Sequence, residues 1–285
     1  MFDSDTIPAA LSKTLFVSDL DGTLMDNDSR LSGVTARVLD RLIADRGMRF
    51  TVATARTPAT VVPIMGSVAA DLPFVVMAGA ALWDNSRQRY TDVLAIPDEV
   101  VEASKSAFAR HGLHPFVYRR RGNIIIARHN GAMSDGEREF VDQRKDTPHK
   151  RFVLDAPDDP ADEAMLIFAL SDYASLESVF ADLKASTRAQ VMLYHDSVDP
   201  AIGLLEVYRE GCTKAAAIRR LARQTGADRV VAFGDNLNDI LMLRDADLAV
   251  AVGNAVPEVK AVADRVIGIN TDDSVARFLA DTFHL

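Results

Sequence analysis

Short apolar runs alternate with amphipathic stretches at both ends of this 285-residue chain, and that rhythm constrains the fold most. Leu15-Phe16-Val17 reads as a strand, and apolar residues at helical spacing from Ser32 to Arg46 read as a helix. Arg49 to Ala53 is a second strand, Thr57-Pro58 an N-cap with a first-turn proline, and Phe74 to Met77 a third strand. A βαβαβ order implies parallel strands joined by right-handed crossovers. The last third repeats it, with a helix over Thr213–Gln224 ending near Gly226, a strand over Val230–Phe233, a short helix over Asn238–Arg244 and a strand over Leu248–Val252.

The middle is different. Two strands, His114–Tyr118 and Asn123–Ala127, flank a turn-like Arg119–Gly122, with further strands at Met165–Leu170 and Gln190–Tyr194 and helices at Ser134–Arg144 and Tyr173–Lys184. Asp155–Asp162, rich in Asp and Pro, reads as a loop. The expected fold is α/β, a doubly wound Rossmann-like parallel sheet formed by residues 1–90 and 201–285, with an inserted α+β cap domain at 91–200.

Composition narrows the partners. A content of 48% hydrophobic residues is ample for a core, and a formal charge of −9 argues against nucleic acid. Met1–Ser12 shows no secretion signal, and no window of membrane-spanning length is free of charges and turn signals, so no membrane partner and a cytoplasmic location are expected. The single cysteine, Cys212, excludes an internal disulfide and fits a reducing compartment. Six scattered histidines show no zinc spacing.

Doubly wound sheets bind ligands at the carboxyl ends of their strands. After the first strand come Asp19-Leu20-Asp21-Gly22-Thr23, in which two carboxylates two residues apart face one way and Gly22 permits a sharp exit. Asp-x-Asp recurs at Asp3/Asp5, Asp26/Asp28 and Asp245/Asp247, so position rather than spacing singles out Asp19 and Asp21. Paired carboxylates at a sheet end call for a cation. Oxygen ligands favour magnesium, and Gly234-Asp235-Asn236-Leu237-Asn238-Asp239 offers more of them, although helix capping is another use for that loop. Lys214 stands at a helix start, where the dipole disfavours a cation unless something anionic compensates, and a solvated lysine is the alternative. Thr54 ends the second strand, where its hydroxyl has either a phosphate-binding or a structural role.

These four segments, in this order and on these elements, resemble the four motifs of the haloacid dehalogenase superfamily. The insert between the second and third motifs, the Gly-Asp-x-x-Asn-Asp form of the fourth, and Ala249–Ala255 resemble the Cof-type sugar-phosphate phosphatases within it. The resemblance implies that Asp19 attacks phosphorus to give an aspartyl-phosphate, with Asp21 as general acid and base. It implies Mg2+ held by Asp19, the Asp21 backbone carbonyl and Asp235, supported by Asp239, and a phosphoryl group bound by Thr54, Lys214 and Asn238. The halide-releasing members lack the second aspartate, which argues against dehalogenation. Ala55, Ala78 and Ala215 depart from the subfamily's usual residues, and Ala78 weakens substrate inference most.

The insert would be a mobile cap that excludes water and reads the leaving group. Arg119-Arg120-Arg121 reads more simply as a solvated hairpin tip than as a reader of a second anionic group, Cys212 as a packing residue, and Trp83 with Leu82 as hairpin packing. The expected activity is hydrolysis of small phosphomonoesters, sugar phosphates first, by a monomer or homodimer. The alternatives are a phosphomutase resembling the phosphomannomutases and a non-catalytic phosphate-ligand sensor.

Overall fold

The computed structural model describes residues 13–196 and 199–285. Met1–Ser12 and the Asp3/Asp5 pair lie outside these residues. Two compact units divide the chain: the segment up to Thr91 with Thr213–Leu285, and the insert Asp92–Cys212.

In the first unit, β1 (Thr14–Ser18), α1 (Gly33–Arg46), β2 (Arg49–Val52), α2 (Pro58–Met65), β3 (Phe74–Val76), β4 (Ala81–Asp84) and β5 (Arg89–Thr91) precede the insert. The insert holds α3 (Asp98–Arg110), β6 (Phe116–Arg121), β7 (Ile124–His129), α4 (Asp135–Asp142), β8 (Lys150–Leu154), β9 (Glu163–Asp172), α5 (Tyr173–Ser186), β10 (Gln190–His195) and β11 (Ile202–Tyr208). The first unit resumes with α6 (Lys214–Thr225), β12 (Arg229–Gly234), α7 (Ile240–Asp245), β13 (Leu248–Ala251), α8 (Pro257–Lys260), β14 (Arg265–Val266) and α9 (Ser274–Thr282).

The core sheet is parallel throughout, in the order β14-β13-β12-β1-β2. β1 lies inside the sheet, between β12 and β2, and is buried along its whole length, as expected where helices cover both faces of a parallel sheet. The third strand is shorter than expected. β3 joins the parallel sheet only through the Ala53–Val75 bridge, and otherwise forms an antiparallel sheet with β4 and β5, where Trp83 is buried edge-on against Tyr90.

Helix ends follow the sequence signals. Ser32 caps α1, accepting from the Thr35 amide, and Gly47 ends it in the left-handed region at φ 64°. Thr213 caps α6 by accepting from the Ala216 amide. Thr57 stands at the α2 N-cap with Pro58 at its first turn, but the Thr57 side chain makes no capping bond.

The insert's six strands run in the order β10-β11-β9-β6-β7-β8, antiparallel except for β7 with β8. Helices α3 and α5 pack on one face through Val101, Phe108, Leu176, Val179 and Leu183. The expected boundary at residue 200 is corrected to Cys212: β11 pairs with β9 and β10, so Ile202–Tyr208 belongs to the insert's sheet. Local apolar pattern could not show which sheet that strand joins.

The solvated-tip reading of Arg119–Arg121 is also corrected. β6 runs through Arg121, and Arg119 is 2% exposed, bonded to both Asp158 oxygens at 2.7 and 2.9 Å, to Asp98 at 3.0 Å and to the Asp162 carbonyl at 2.6 Å. Arg121 pairs with Asp159 and Asp162, and Arg120 with Glu163. The acidic loop after β8 supplies Asp158, Asp159 and Asp162, α3 supplies Asp98 and β9 supplies Glu163, so the arginines brace the insert internally.

Candidate active site

Four loops at the carboxyl ends of β1, β2 and β12 and at the start of α6 meet in the first unit. The amide of Asp19 donates to the Phe233 carbonyl at 3.0 Å, which ties the exit of β1 to the end of β12. Gly22 then turns the chain with φ 76°, and a Cβ there would stand 2.5 Å from Asp235 Oδ2. Only glycine permits both the conformation and the approach. Asn254 Nδ2 donates to the Gly22 carbonyl at 2.7 Å, and Asn254 Oδ1 accepts from the Asn270 amide at 2.9 Å. The segment after β13 therefore braces the turn, a role that the sequence pattern did not disclose.

Lys214 is 3% exposed, and its Nζ donates to Asp19 Oδ1 at 2.5 Å and to Asp239 Oδ1 at 2.7 Å. The anionic compensation expected for a cation at this helix start is thus supplied by two carboxylates. Asp239 in turn accepts from the amides of Asp235 and Asn236 at 3.1 and 3.2 Å, so the loop is both capped and anchored. Thr23 donates to Asp235 Oδ1 at 2.9 Å. Lys214 reaches this place because Thr213 lies against Gly79: at φ 102°, a Cβ on Gly79 would come 2.3 Å from the Thr213 carbonyl oxygen. Just before it, Met77 and Ala78 also adopt positive φ, at 51° and 53°, a conformation in which alanine is strained and asparagine is at home.

The carboxylates of Asp19, Asp235 and Asp239 place one oxygen each within 4.8 Å of one another. Burial, with the charges of Asp239 and Asp235, drives the Asp19 carboxyl well above the usual range, against the pull of Lys214. Burial, then Asp239, pushes Asp235 up to about 6. The two neighbours hold the Lys214 ammonium above its ordinary value despite burial. Such a set is short of positive charge, and it offers oxygen atoms alone. Oδ2 of Asp19 and Oδ2 of Asp235 accept no hydrogen bond from the described residues, so the donor set fits a hard divalent cation.

Asp21 stands apart from this cluster. Its side chain is half exposed and gripped by Arg56, Nε to Oδ2 at 2.8 Å and Nη2 to Oδ1 at 2.5 Å, while Nη2 also reaches Ser29 Oγ at 3.0 Å. Arg56 is the residue that sequence reasoning missed. Its only signal was its place two residues after Thr54. Thr54 is buried, and its hydroxyl accepts from the Arg56 amide at 3.1 Å. Asn238 is exposed beside the cluster, on the short turn Leu237–Asp239. Cys212 is buried.

A parallel sheet thus gathers carboxylates, a lysine and a threonine at its carboxyl end, where doubly wound folds carry their active sites. The family described as haloacid dehalogenase-like hydrolase matches residues 16–279, and the chain belongs to it. Among its relatives, the 5-amino-6-(5-phospho-D-ribitylamino)uracil phosphatase YitU of Bacillus subtilis is 26% identical over 95% of this chain and 98% of its own. The pyridoxal phosphate phosphatase YbhA of Escherichia coli is 27% identical over 92% of this chain and 95% of its own. The crystal structure of a haloacid dehalogenase-like hydrolase from Bacteroides thetaiotaomicron superposes with a TM-score of 0.76 at 23% identity, covering 95% of this chain and 99% of that one, which supports the fold. The chain is an enzyme of this family, a phosphoric monoester hydrolase like the relatives that carry a named activity. No helix among the described residues is long and apolar enough to cross a membrane.

Proposed function

We propose that the protein is a Mg2+-dependent phosphatase of small phosphorylated metabolites, working through a phosphorylated Asp19. The observation that carries this reading is the buried Asp19–Lys214–Asp239 chain beside Asp235, a nucleophile held in place by a cation within a metal-ready carboxylate set. Asp19 attacks phosphorus as the bond to the leaving oxygen breaks, and Asp21 gives that oxygen a proton. Water then attacks the aspartyl-phosphate, Asp21 takes its proton, and inorganic phosphate leaves as Asp19 is restored. Lys214, Thr54 and Asn238 bind the peripheral oxygens of the transferring group. Arg56 orients the Asp21 carboxylate between these two proton transfers. Bound Mg2+, held by Asp19, the Asp21 carbonyl and Asp235 with Asp239 behind them, would supply the charge that lets a carboxylate approach an anionic phosphate.

The substrate is a phosphomonoester with a small organic leaving group. Sugar phosphates belong to this class, as do the phosphorylated substrates printed in the names of YitU and YbhA. The insert acts as the specificity-bearing cap. A panel of phosphorylated sugars, nucleotides and cofactors assayed for phosphate release with magnesium tests the reading. Asp19→Asn should lower turnover by about a thousandfold or more, since no other group replaces the nucleophile. Wild-type turnover in that variant would refute the assignment, and isomerised sugar phosphate without phosphate release would indicate a mutase instead.

A further inference from the structure

The turn that carries Asp21 is held from outside its own loop. Asn254, in the bend between β13 and α8, donates from Nδ2 to the Gly22 carbonyl at 2.7 Å and accepts at Oδ1 from the Asn270 amide at 2.9 Å. Asn270 is 6% exposed and donates from Nδ2 to the Met25 carbonyl at 2.8 Å and to Asn27 Oδ1 at 3.2 Å. Two linked side-chain amides thus grasp the chain at Gly22 and at Met25.

The bend is itself fixed to the acidic loop after β12. The Val252 amide donates to the Gly234 carbonyl at 3.3 Å, and the Val256 amide to the Asp235 carbonyl at 2.9 Å. On its other side the Gly253 amide donates to the Gly268 carbonyl at 2.8 Å. Asn254 therefore stands on a base tied to Asp235, and its bond to Gly22 sets the turn after β1 against that base.

Gly22 is where such a bond has most effect. Its φ of 76° and ψ of −2° favour glycine, and glycine has the widest choice of other conformations, so an outside contact is needed to select this one. Rotation at Gly22 would swing the Asp21 peptide and side chain. Arg56 holds the half-exposed carboxylate of Asp21, and Asn254 holds the backbone that follows it.

We infer that Asn254, backed by Asn270, is a positioning residue for proton transfer by Asp21. It sets the place from which Asp21 gives a proton to the leaving oxygen as the bond to phosphorus breaks. The inference rests on the phosphatase reading above. Asn254 is exposed, so water can replace its hydrogen bond, and the contact adds little stability while still selecting one geometry of the turn.

Asn254→Ala and Asn254→Asp both remove the donor to Gly22, and the second keeps an acceptor for the Asn270 amide. Two substrates separate positioning from general damage. The alkoxide of glycerol 3-phosphate needs a proton as it leaves, whereas p-nitrophenolate leaves p-nitrophenyl phosphate without one. Because kcat/KM covers only the steps up to departure of the leaving group, the ratio of its two values is unaffected by inactive protein or by later hydrolysis of the aspartyl-phosphate. In both variants kcat/KM should fall about 10–100-fold for glycerol 3-phosphate and at least about fivefold less for p-nitrophenyl phosphate. The melting midpoint should stay within about 2 °C of the parent. Equal losses for the two substrates, whether from weaker Mg2+ binding or from partial unfolding, overturn the inference.

Hydrogen exchange on the full chain reads the clamp without activity. The Met25 and Asp26 amides, bonded to the Leu20 and Arg30 carbonyls at 3.0 Å, should exchange severalfold faster in Asn254→Ala, and unchanged exchange also overturns the inference. If the parent releases phosphate from neither substrate, it is the phosphatase reading that fails; in an active parent, equal losses defeat the role of Asn254 alone.

Discussion

Replacing Lys214 with methionine removes the cation between Asp19 and Asp239 and leaves a similar volume of side chain behind. Both contacts are short and all three partners are buried, so solvent screening offers little relief. Removing one partner of a buried ion pair costs about 3–5 kcal/mol, because the remaining charge is stranded. At about 2–4 °C per kcal/mol for a unit of this size, the melting midpoint should fall by about 6–20 °C near neutral pH with chelator present. Two treatments should restore part of the loss. Excess Mg2+ supplies positive charge to the same carboxylates, and acid neutralises them. Without the ammonium the carboxyl groups of Asp19 and Asp235 rise further above their unfolded values, so the folded state binds protons more tightly and the variant gains stability as pH falls toward about 5. Calorimetry of parent and variant across pH, with and without Mg2+, checks each step. A variant as stable as the parent in chelator, or one whose deficit ignores both pH and Mg2+, would refute the electrostatic reasoning.

Three further outcomes are expected. In the parent protein Asp235 titrates near 6 in the folded state, above its unfolded value, so its ionisation destabilises the metal-free protein as pH rises through that value; the rise in melting midpoint on adding Mg2+ should accordingly be larger above pH 6 than below it, as thermal scans in both media would show. Arg56→Gln should lower kcat by about 10–100-fold through loss of Asp21 orientation, yet shift stability by no more than about 1 kcal/mol because the pair is partly exposed; phosphate-release kinetics with a thermal melt separate the two effects. Gly79→Ala should destabilise by about 2 kcal/mol or more and displace the start of α6 with Lys214, so that denaturant midpoint and turnover fall together.

Much of the core was legible because its signals are local. β1, β12 and β13 are continuous apolar runs, and Asp19, Lys214 and Asp235 each stand at the end of a strand or the start of a helix that the run or cap defines. What escaped were partners distant in sequence. Nothing near Arg119 says that Asp158 and Asp98 will surround it, and nothing near Ile202 says that its strand pairs with β9. The grip of Arg56 on Asp21 spans 35 residues and two loops, and loop composition carries no period from which to read it. The Ala78 departure looked like a missing amide. In the structure it is also a conformational matter, an alanine in a left-handed turn beside Gly79.

The pairing of β1 with β12 has a consequence for how the protein is made. Asp19 and Lys214 are 195 positions apart, and residues 14–18 find their sheet neighbours at 229–233. During synthesis, β1 emerges early and must wait for β12, while Asp92–Cys212 is contiguous and can close its own sheet first. At about 5–20 residues per second, that wait lasts roughly ten seconds or more, during which Leu15, Phe16 and Val17 lack a final partner. The nascent chain is therefore most exposed to aggregation and chaperone capture through its first strand, and a ribosome paused between the insert and α6 would prolong that exposure without touching any catalytic group.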